Sequence, residues 1–283
     1  MTECAVSSWP APAKINLFLH VTARRPDGYH DIQTLFQLLD WGDDVRIRLT
    51  RTPVILRAAA DYGVAESEDL VVRAAKLLQS ETGCRQGAEI EVIKHVPLGS
   101  GLGGGSSDAA TVLLALNRLW DCGLSRNELA GLGRRLGADV PVFIHGHSAM
   151  AEGVGDVLRP VSLGERHYLL VFPGISVSTR EVFADAGLPR NSRPISLAAA
   201  LAGEGRNDCE PVVRKRFPAI ARAMEALEKW GKPVMTGTGS AIFVPMRDKK
   251  SAMSAASAIK TLYNVRAVRG VDVSALREML DSC

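Results

Sequence analysis

The amino-acid sequence predicts an α+β fold divided into two domains. Patterns typical of strands and of helices mix along the 283 residues, without the regular alternation that marks a doubly wound parallel sheet. A chain of this length can bury two hydrophobic cores. The glycine-rich stretch 153–164 contains a proline and is the candidate boundary, so the predicted domains are residues 1–158 and 159–283.

Strand patterns dominate the first hundred residues. Runs that are rich in apolar side chains, or that alternate with period two, predict strands at 15–21, 31–39, 45–49, 54–56 and 89–96. Pro26-Asp27-Gly28 is a strong turn signal and predicts a hairpin between the first two strands. A helix is predicted from Ser67 to Gly83, because its apolar positions fall on one face.

Helices become prominent after residue 100. The segment 109–120 is nearly all apolar, which indicates a helix buried between layers. Ser125 and Glu128 have the spacing of a capping box and predict the start of a helix that ends near Gly137. In the second half, strands are predicted at 168–172, 242–244 and 265–273, and helices at 250–262 and at 208–230, the latter broken near Pro211 and Pro218.

Composition restricts the class of protein. Net charge is only +3 and the basic residues are spread along the chain, which argues against nucleic-acid binding. The five cysteines are odd in number and form no C-x-x-C pair, which argues against a disulfide framework or a structural zinc site. The start lacks a signal-peptide pattern and no apolar run approaches the ~20 residues of a membrane span. We therefore expect a cytoplasmic protein, monomeric or homodimeric, that acts on a small molecule.

One segment between a predicted strand and a predicted helix is unusually rich in glycine. It consists of Pro97, Leu98, Gly99, Ser100, Gly101, Leu102, Gly103, Gly104, Gly105, Ser106 and Ser107. Five glycines in seven residues carry a large entropic cost, and such a loop usually exists because the main chain approaches a ligand closely. A helix N-terminus behind the loop offers free N–H groups and a positive dipole end, so the expected ligand is an anion such as a phosphate.

Three other kinds of loop share some of these features. A purely structural turn seldom needs so many glycines. A Walker loop is excluded because no Lys-Ser or Lys-Thr pair follows the last glycine. Gly99, Gly101 and Gly104 do satisfy the dinucleotide-binding spacing, but the acidic residue near the required distance, Asp121, lies between two helices rather than after a strand.

Motifs in three parts of the chain resemble a known family. Residues 12–16, 97–107 and 236–240 are similar to the three motifs of the galactokinase, homoserine kinase, mevalonate kinase and phosphomevalonate kinase superfamily. Residues 25–30 and 136–141 resemble its branch that phosphorylates 4-diphosphocytidyl-2-C-methyl-D-erythritol. The similarity runs over nearly the whole chain and the motifs occur in the right order.

The resemblance implies a fold, cofactors and site residues. It implies an N-terminal ribosomal-S5-like domain and a C-terminal ferredoxin-like domain, with the active site in the cleft between them, ATP and Mg²⁺ as cofactors, and a cytidyl diphosphate-linked erythritol as substrate. The residues matched to the family are Lys14 and Asp139 for catalysis, Pro97 to Ser107 for ATP, Tyr29 and His30 for the cytosine ring, Phe183 across from Tyr29, and Asn16 and Thr179 for polar substrate contacts. The magnesium ligands are left open, as is the serine that faces the metal.

Each assignment has a simpler alternative. Asp139 resembles a residue that caps a turn, and Lys14 resembles a strand-edge lysine that points to water. The rival functions are a nucleotide-dependent dehydrogenase, a related kinase acting on another alcohol such as mevalonate or homoserine, and a non-catalytic ligand sensor.

Overall fold

A computed structural model describes residues 5–58 and 64–282 of the protein. Its strands are β1 (Ser7–Arg24), β2 (His30–Thr50), β3 (Ile55–Arg57), β4 (Gly87–Ile93), β5 (Ala149–Glu152), β6 (Val157–Pro160), β7 (Arg166–Phe172), β8 (Val234–Met235), β9 (Ile242–Met246) and β10 (Asn264–Val271). Its helices are α1 (Leu70–Thr82), α2 (Gly104–Leu119), α3 (Arg126–Leu136), α4 (Val140–His145), α5 (Thr179–Ala184), α6 (Leu197–Leu201), α7 (Glu210–Arg216), α8 (Pro218–Leu227), α9 (Lys249–Ile259) and α10 (Ala275–Asp281), with a 3-10 turn at Glu228–Trp230.

The described strands join in one sheet with the order β3-β4-β2-β10-β7-β9-β8, to which β1 and β5 add through β2 and β6 adds through β5. Among the pairs of named strands, β3 with β4 is parallel and the others are antiparallel. An antiparallel sheet with helices packed against it is the predicted α+β class.

The first hairpin is longer than the sequence predicts. The predicted strands 31–39 and 45–49 are parts of the single strand β2, and β1 pairs with it from Ser7 to Arg24 through three register shifts. The predicted break at the polar residues between these two strands is wrong. Gly42 lies so close to β1 that an added Cβ would meet the carbonyl oxygen of Ala11, so glycine allows the pairing to continue there.

Helix ends agree best where capping chemistry defines them. Ser125 and Glu128 form the predicted capping box at α3, and α1 ends at Gly83 with a φ of 68°. The cap of α1 is Asp69, whose carboxylate accepts the N–H of Val71, rather than the predicted Ser67. Helix α2 starts at Gly104, five residues before the predicted position.

Three prolines lie in the first turn of a helix: Pro141 in α4, Pro211 in α7 and Pro218 in α8. The predicted break near Pro218 is confirmed, since α7 ends at Arg216 and α8 begins at Pro218, whereas the predicted break near Pro211 is wrong. A proline is tolerated in the first turn because its missing N–H has no intrahelical partner there. Helix α4 is therefore not predicted by the sequence. The stretch 153–164, the predicted domain boundary, contains β6.

Among the described residues, the three largest of four buried apolar clusters hold the layers together. One packs α1, α2, α3 and α4 against β2 and β4, and another packs α7, α8 and α9 against β7 and β9. Strand β1 contributes Trp9 to the first of these clusters and Leu19 to the second. A third cluster, which includes Ile15 and Leu102, lies under the glycine loop. The division at residue 158 stays a prediction.

Two further sequence expectations concern cysteines and membranes. Cys84, Cys122 and Cys209 are free thiols, and Cys4 and Cys283 lie outside the described residues. Within the described part of the chain, no helix combines the length and apolar character needed to cross a bilayer.

Candidate active site

A cleft of about 830 Å³ brings together segments that are distant in sequence. It is lined by the β1–β2 hairpin, the glycine loop, the start of α4, helix α5 and the turn before β9. The predicted site residues on its walls are Lys14, Asn16, Tyr29, His30, Pro97, Leu98, Gly99, Ser100, Gly101, Gly103, Gly104, Gly105, Ser106, Asp139, Thr179 and Phe183. The predicted residues absent from the walls are Leu102 and Ser107, whose side chains are fully buried.

The carboxylate of Asp43 binds the main chain between the end of strand β4 and the glycine loop. Asp43 Oδ1 accepts the main-chain N–H groups of His95 and Val96, the latter at 2.7 Å, so the chain leaves the sheet three residues before the predicted end at Val96. Two more hydrogen bonds join the loop to the turn before β9: Ser240 N to Gly99 O at 3.3 Å and Ala241 N to Ser100 O at 3.0 Å. The loop is therefore held on both sides.

Glycine is required at two loop positions by contacts as well as by conformation. Gly101 has a φ of 78°, and a Cβ on it would lie 2.4 Å from the carbonyl oxygen of Thr236. Gly103 has a φ of 74°, and its Cβ would lie 2.9 Å from the ring of Phe143. Both values of φ are in the left-handed region that favours glycine.

Helix α2 presents an open N-terminus to the cleft. Its N-cap is Gly103, which offers no side-chain acceptor for the first amides. Gly104, Gly105 and Ser106 of the first turn line the cleft. Unpaired N–H groups and the positive end of the helix dipole therefore face this space, an arrangement that binds anions.

Lys14 lies in β1 with its ammonium inside the protein. Its side chain is 4% exposed, and Nζ donates to Asn16 Oδ1 at 2.6 Å and to Gly101 O at 3.0 Å. The same Nζ lies 3.4 Å from Asp139 Oδ2. The solvent-facing alternative for Lys14 is wrong, because a buried cation needs such acceptors.

Asp139 occupies the N-cap position of α4, but its carboxylate makes no capping hydrogen bond. The side chain is 33% exposed, faces Lys14 and lines the cleft. The capping alternative is therefore wrong for this side chain. A carboxylate that is partly open to a cleft and lies against a buried ammonium can accept a proton from a bound group.

The two predicted polar contacts have partners within the protein. Asn16 Nδ2 donates to Thr34 Oγ1 at 2.9 Å, and its Oδ1 accepts from Lys14. Thr179 Oγ1 lies 2.9 Å from Thr238 Oγ1, which connects the start of α5 to the turn before β9. Both side chains still line the cleft.

Aromatic rings gather at the other end of the cleft. Tyr29 is 63% exposed at the hairpin, while His30 is mostly buried. Phe183, expected across from Tyr29, packs against the imidazole of His30 with ring centroids 5.2 Å apart. Arg190 Nε donates to His30 Nε2 at 3.1 Å. Burial lowers the pKa of His30, and the nearby cations Arg190 and Arg24 lower it further.

Sequence reasoning missed a buried ion cluster behind the loop. Lys94 Nζ contacts Asp43 Oδ2 and lies 2.8 Å from Asp108 Oδ2 on α2. Burial raises the pKa of Asp108 to about 7, with Asp43 adding to the rise and Lys94 opposing it. Burial alone would lower the pKa of Lys94, but the two carboxylates raise it. The available signal was a polar residue, Asp108, at the start of an otherwise apolar helix.

The residues present suit a magnesium ion that is held mainly by phosphates and water. Among the described residues, no group of three or more His, Cys, Asp or Glu side chains could hold a metal. Ser106 lines the cleft whereas Ser107 is fully buried, so Ser106 is the member of this pair that a ligand can reach. Mg²⁺ usually keeps several waters and takes few protein ligands at such sites.

The dinucleotide-binding interpretation does not fit this geometry. Strand β4 before the loop is antiparallel to β2, and α2 leads to α3 rather than to a parallel strand. Asp121 lies in the turn between these two helices. Asp121 therefore does not occupy the position of the ribose-binding carboxylate of the dinucleotide fold.

Comparisons with known proteins show the family of the chain. The family model described as GHMP kinases N terminal domain matches residues 69–147, and the one described as GHMP kinases C terminal matches residues 187–265. A 4-diphosphocytidyl-2-C-methyl-D-erythritol kinase from Alkalilimnicola ehrlichii is 52% identical over 95% of this chain and 92% of its own. A kinase of the same name from Nitrosococcus oceani is 49% identical over 96% and 98%.

Solved structures give the same result. A crystal structure of 4-(cytidine 5'-diphospho)-2C-methyl-D-erythritol kinase is 35% identical, with a TM-score of 0.80 over 94% of this chain and 100% of that one. A homoserine kinase from Cytophaga hutchinsonii shares the fold, with a TM-score of 0.69 at 18% identity over 95% of each chain. The chain therefore belongs to the GHMP kinases, in the family of the 4-diphosphocytidyl-2-C-methyl-D-erythritol kinases.

Proposed function

We propose that the protein transfers the γ-phosphoryl group of ATP to the 2-hydroxyl of 4-diphosphocytidyl-2-C-methyl-D-erythritol, which gives the 2-phosphate and ADP in the non-mevalonate route to isoprenoid precursors. The observation that carries the proposal is the placement of the Lys14–Asp139 pair in the same cleft as the open N-terminus of α2. The names of the relatives supply the substrate.

The glycine loop binds the triphosphate through its main chain. The left-handed glycines let the backbone approach closely, and the free amides of the first turn of α2 donate to phosphate oxygens. The loop is fixed by its hydrogen bonds to Ser240 and Ala241, so little ordering remains when the nucleotide binds. This preorganisation favours charge that develops on the moving phosphoryl group.

Asp139 acts as the base for the acceptor alcohol. An alcohol is a weak nucleophile, and a positioned carboxylate takes its proton as attack proceeds. The hydroxyl oxygen then forms the new bond to the γ-phosphorus while the bond to the β–γ bridging oxygen breaks. Lys14 keeps the carboxylate in place and presents positive charge beside the reacting groups.

Magnesium is expected with the nucleotide. The Ser106 hydroxyl, at the start of α2 and on the wall of the cleft, would contact it. When bound, the ion neutralises charge on the β- and γ-phosphates.

The aromatic end of the cleft holds the cytosine. Tyr29 offers an exposed ring for stacking, and the pair of His30 and Phe183 forms an adjacent wall. Asn16 and Thr179 line the same cleft, and both contact the turn before β9. They bind polar groups of the erythritol. Arg180 and Arg24 also line the cleft and add positive charge for the diphosphate.

Location and assembly are part of the proposal. A pathway enzyme without a spanning helix in its described residues fits the cytoplasm, and a cleft formed within one chain works in a monomer or a homodimer. Light scattering of the purified protein measures its mass and so distinguishes a monomer from a homodimer.

The direct test is ADP release with a panel of acceptors. The cytidyl-linked erythritol should support turnover at least about a hundredfold above mevalonate or homoserine, because a kinase site rejects substrates that leave its buried polar groups unpaired. Faster turnover with another alcohol would assign a different substrate. Binding of ATP with no turnover on any acceptor would support the ligand-sensor alternative.

A further inference from the structure

The guanidinium of Arg190 donates four hydrogen bonds beside the cleft. Nη2 donates to Phe183 O at 3.0 Å and to Asp185 O at 2.8 Å, and Nη1 donates to Leu188 O at 3.1 Å. The fourth bond runs from Nε to His30 Nε2 at 3.1 Å. Arg190 therefore joins the C-terminal end of α5 to the first residue of β2.

This geometry determines the protonation state of His30. A guanidinium only donates, so Nε2 of the ring must be the acceptor and must lack a proton. In a neutral imidazole the proton then sits on Nδ1. Among the described residues, Nδ1 has no hydrogen-bond partner, and His30 lines the cleft, so this N–H is available to a ligand.

The surroundings keep the ring neutral. The charged groups that face His30 are Arg190, from the segment after α5, and Arg24, at the end of β1. Protonation of Nε2 would remove its lone pair and place a second cation against Arg190. A single tautomer is thus selected both by the donor geometry and by charge.

We propose that Arg190 is a positioning residue that fixes His30 as the Nδ1–H tautomer, so that the ring offers a donor to an acceptor atom of the bound pyrimidine. The proposal rests on the proposed function for the identity of that ligand. Without Arg190, both tautomers of His30 become accessible, and the ring nitrogen that faces the base is an acceptor part of the time. The carbonyl groups at the end of α5 would also lose their donor, while the contacts of Lys14 with Asn16 and Asp139 would be unchanged.

The first measurement needs no substrate. Nitrogen-15 NMR of the imidazole in the native protein should show a protonated Nδ1 and an unprotonated Nε2 for His30. In Arg190→Met the signals should shift toward a mixture of tautomers, and the pKa of His30 should rise. Arg193→Met is the matched control, because Arg193 is an exposed arginine in the same segment, and it should leave the spectrum unchanged.

The second measurement is kinetic. Arg190→Met should raise KM for the cytidyl substrate roughly tenfold, as the loss of one specific hydrogen bond implies, and should leave KM for ATP within about twofold. The native KM for the cytidyl substrate should be flat between about pH 6 and pH 8. That of Arg190→Met should fall toward the acid end, because a protonated His30 again carries a proton on Nδ1. A merely structural role for Arg190 would not create this pH dependence.

Two results would overturn the proposal. One is a native His30 with its proton on Nε2. The other is an unchanged tautomer in Arg190→Met together with an unchanged substrate KM. If Arg190→Met fails to fold, Arg190→Lys serves instead, since lysine keeps the charge but lacks the planar array of donors. The NMR result stands even if the protein phosphorylates another alcohol, so failure of this inference and failure of the proposed function can be told apart.

Discussion

Substitution of Gly101 by alanine tests the glycine loop at its tightest contact. Gly101 has a φ of 78°, and the new Cβ would lie 2.4 Å from Thr236 O and 3.0 Å from Gly239 O. Both neighbours are backbone atoms, so neither can rotate away as the end of a side chain would. The loop and the turn before β9 must therefore separate, and the amides that face the cleft move with them.

The magnitude follows from two contributions. An alanine in the left-handed region costs about 1–2 kcal/mol, and forcing a methyl group into a filled space costs about 1–3 kcal/mol more. Gly123→Ala is the matched control, because Gly123 has a φ of 70° but nothing within 4 Å of its added Cβ. The Gly123→Ala variant therefore measures the cost of a left-handed alanine without the clash that a new Cβ would cause at Gly101.

The assay combines ADP release with thermal unfolding. Gly101→Ala should lower kcat/KM for ATP by roughly a hundredfold, since a displacement near 1 Å in a catalytic site has effects of this size. Gly123→Ala should lose stability but keep its kinetic constants. Equal kinetic constants for Gly101→Ala and Gly123→Ala would refute the role assigned to the loop.

Three further predictions concern charged and aromatic residues. Lys14→Met should reduce kcat by about 10²–10³-fold, because one preorganised donor beside the reacting groups is lost. The exposed control Lys250→Met should retain native kcat. Similar kcat values for both variants in an ADP-release assay would contradict the role of Lys14. His30→Ala should raise KM for the cytidyl substrate much more than KM for ATP in steady-state kinetics, and equal increases would disprove the assignment of the base-binding end. Asp108 has a folded-state pKa of about 7, above its ordinary value of 3.8, so the folded protein holds this proton more tightly and the contribution of Asp108 to stability falls as pH rises through that window. As pH rises from about 5 to about 8, the Tm of the native protein should therefore fall relative to the Tm of Asp108→Asn. A Tm difference that stays constant over this range would show that the carboxyl does not titrate there.

Local chemistry that is complete within a few residues could be read from the sequence. The capping box of Ser125 and Glu128 and the helix end at Gly83 are of this kind, since each depends on its own backbone. The glycine loop was found because five glycines in seven residues have no common structural explanation. The pairing of Lys14 with Asp139 came from the family resemblance, and the structure brings the two side chains to 3.4 Å.

Features that depend on distant contacts could not be found this way. Strand β2 continues through polar residues because β1 pairs with it along its length, which no local pattern reveals. Asp43 ends strand β4 from more than 50 residues away. The role of Arg190 could not be predicted because three of its four acceptors are main-chain carbonyl groups, which leave no pattern in the sequence. Tertiary contacts thus decided the elements and residues that were missed.

The most direct test of the mechanism is the turnover of Asp139→Asn with the cytidyl-linked erythritol and ATP. Asparagine keeps the size of the side chain but cannot take a proton from the alcohol. The variant should bind ATP with native affinity while kcat falls by about 10²–10⁴-fold, the usual contribution of a general base. A kcat within about tenfold of the native value would contradict the account.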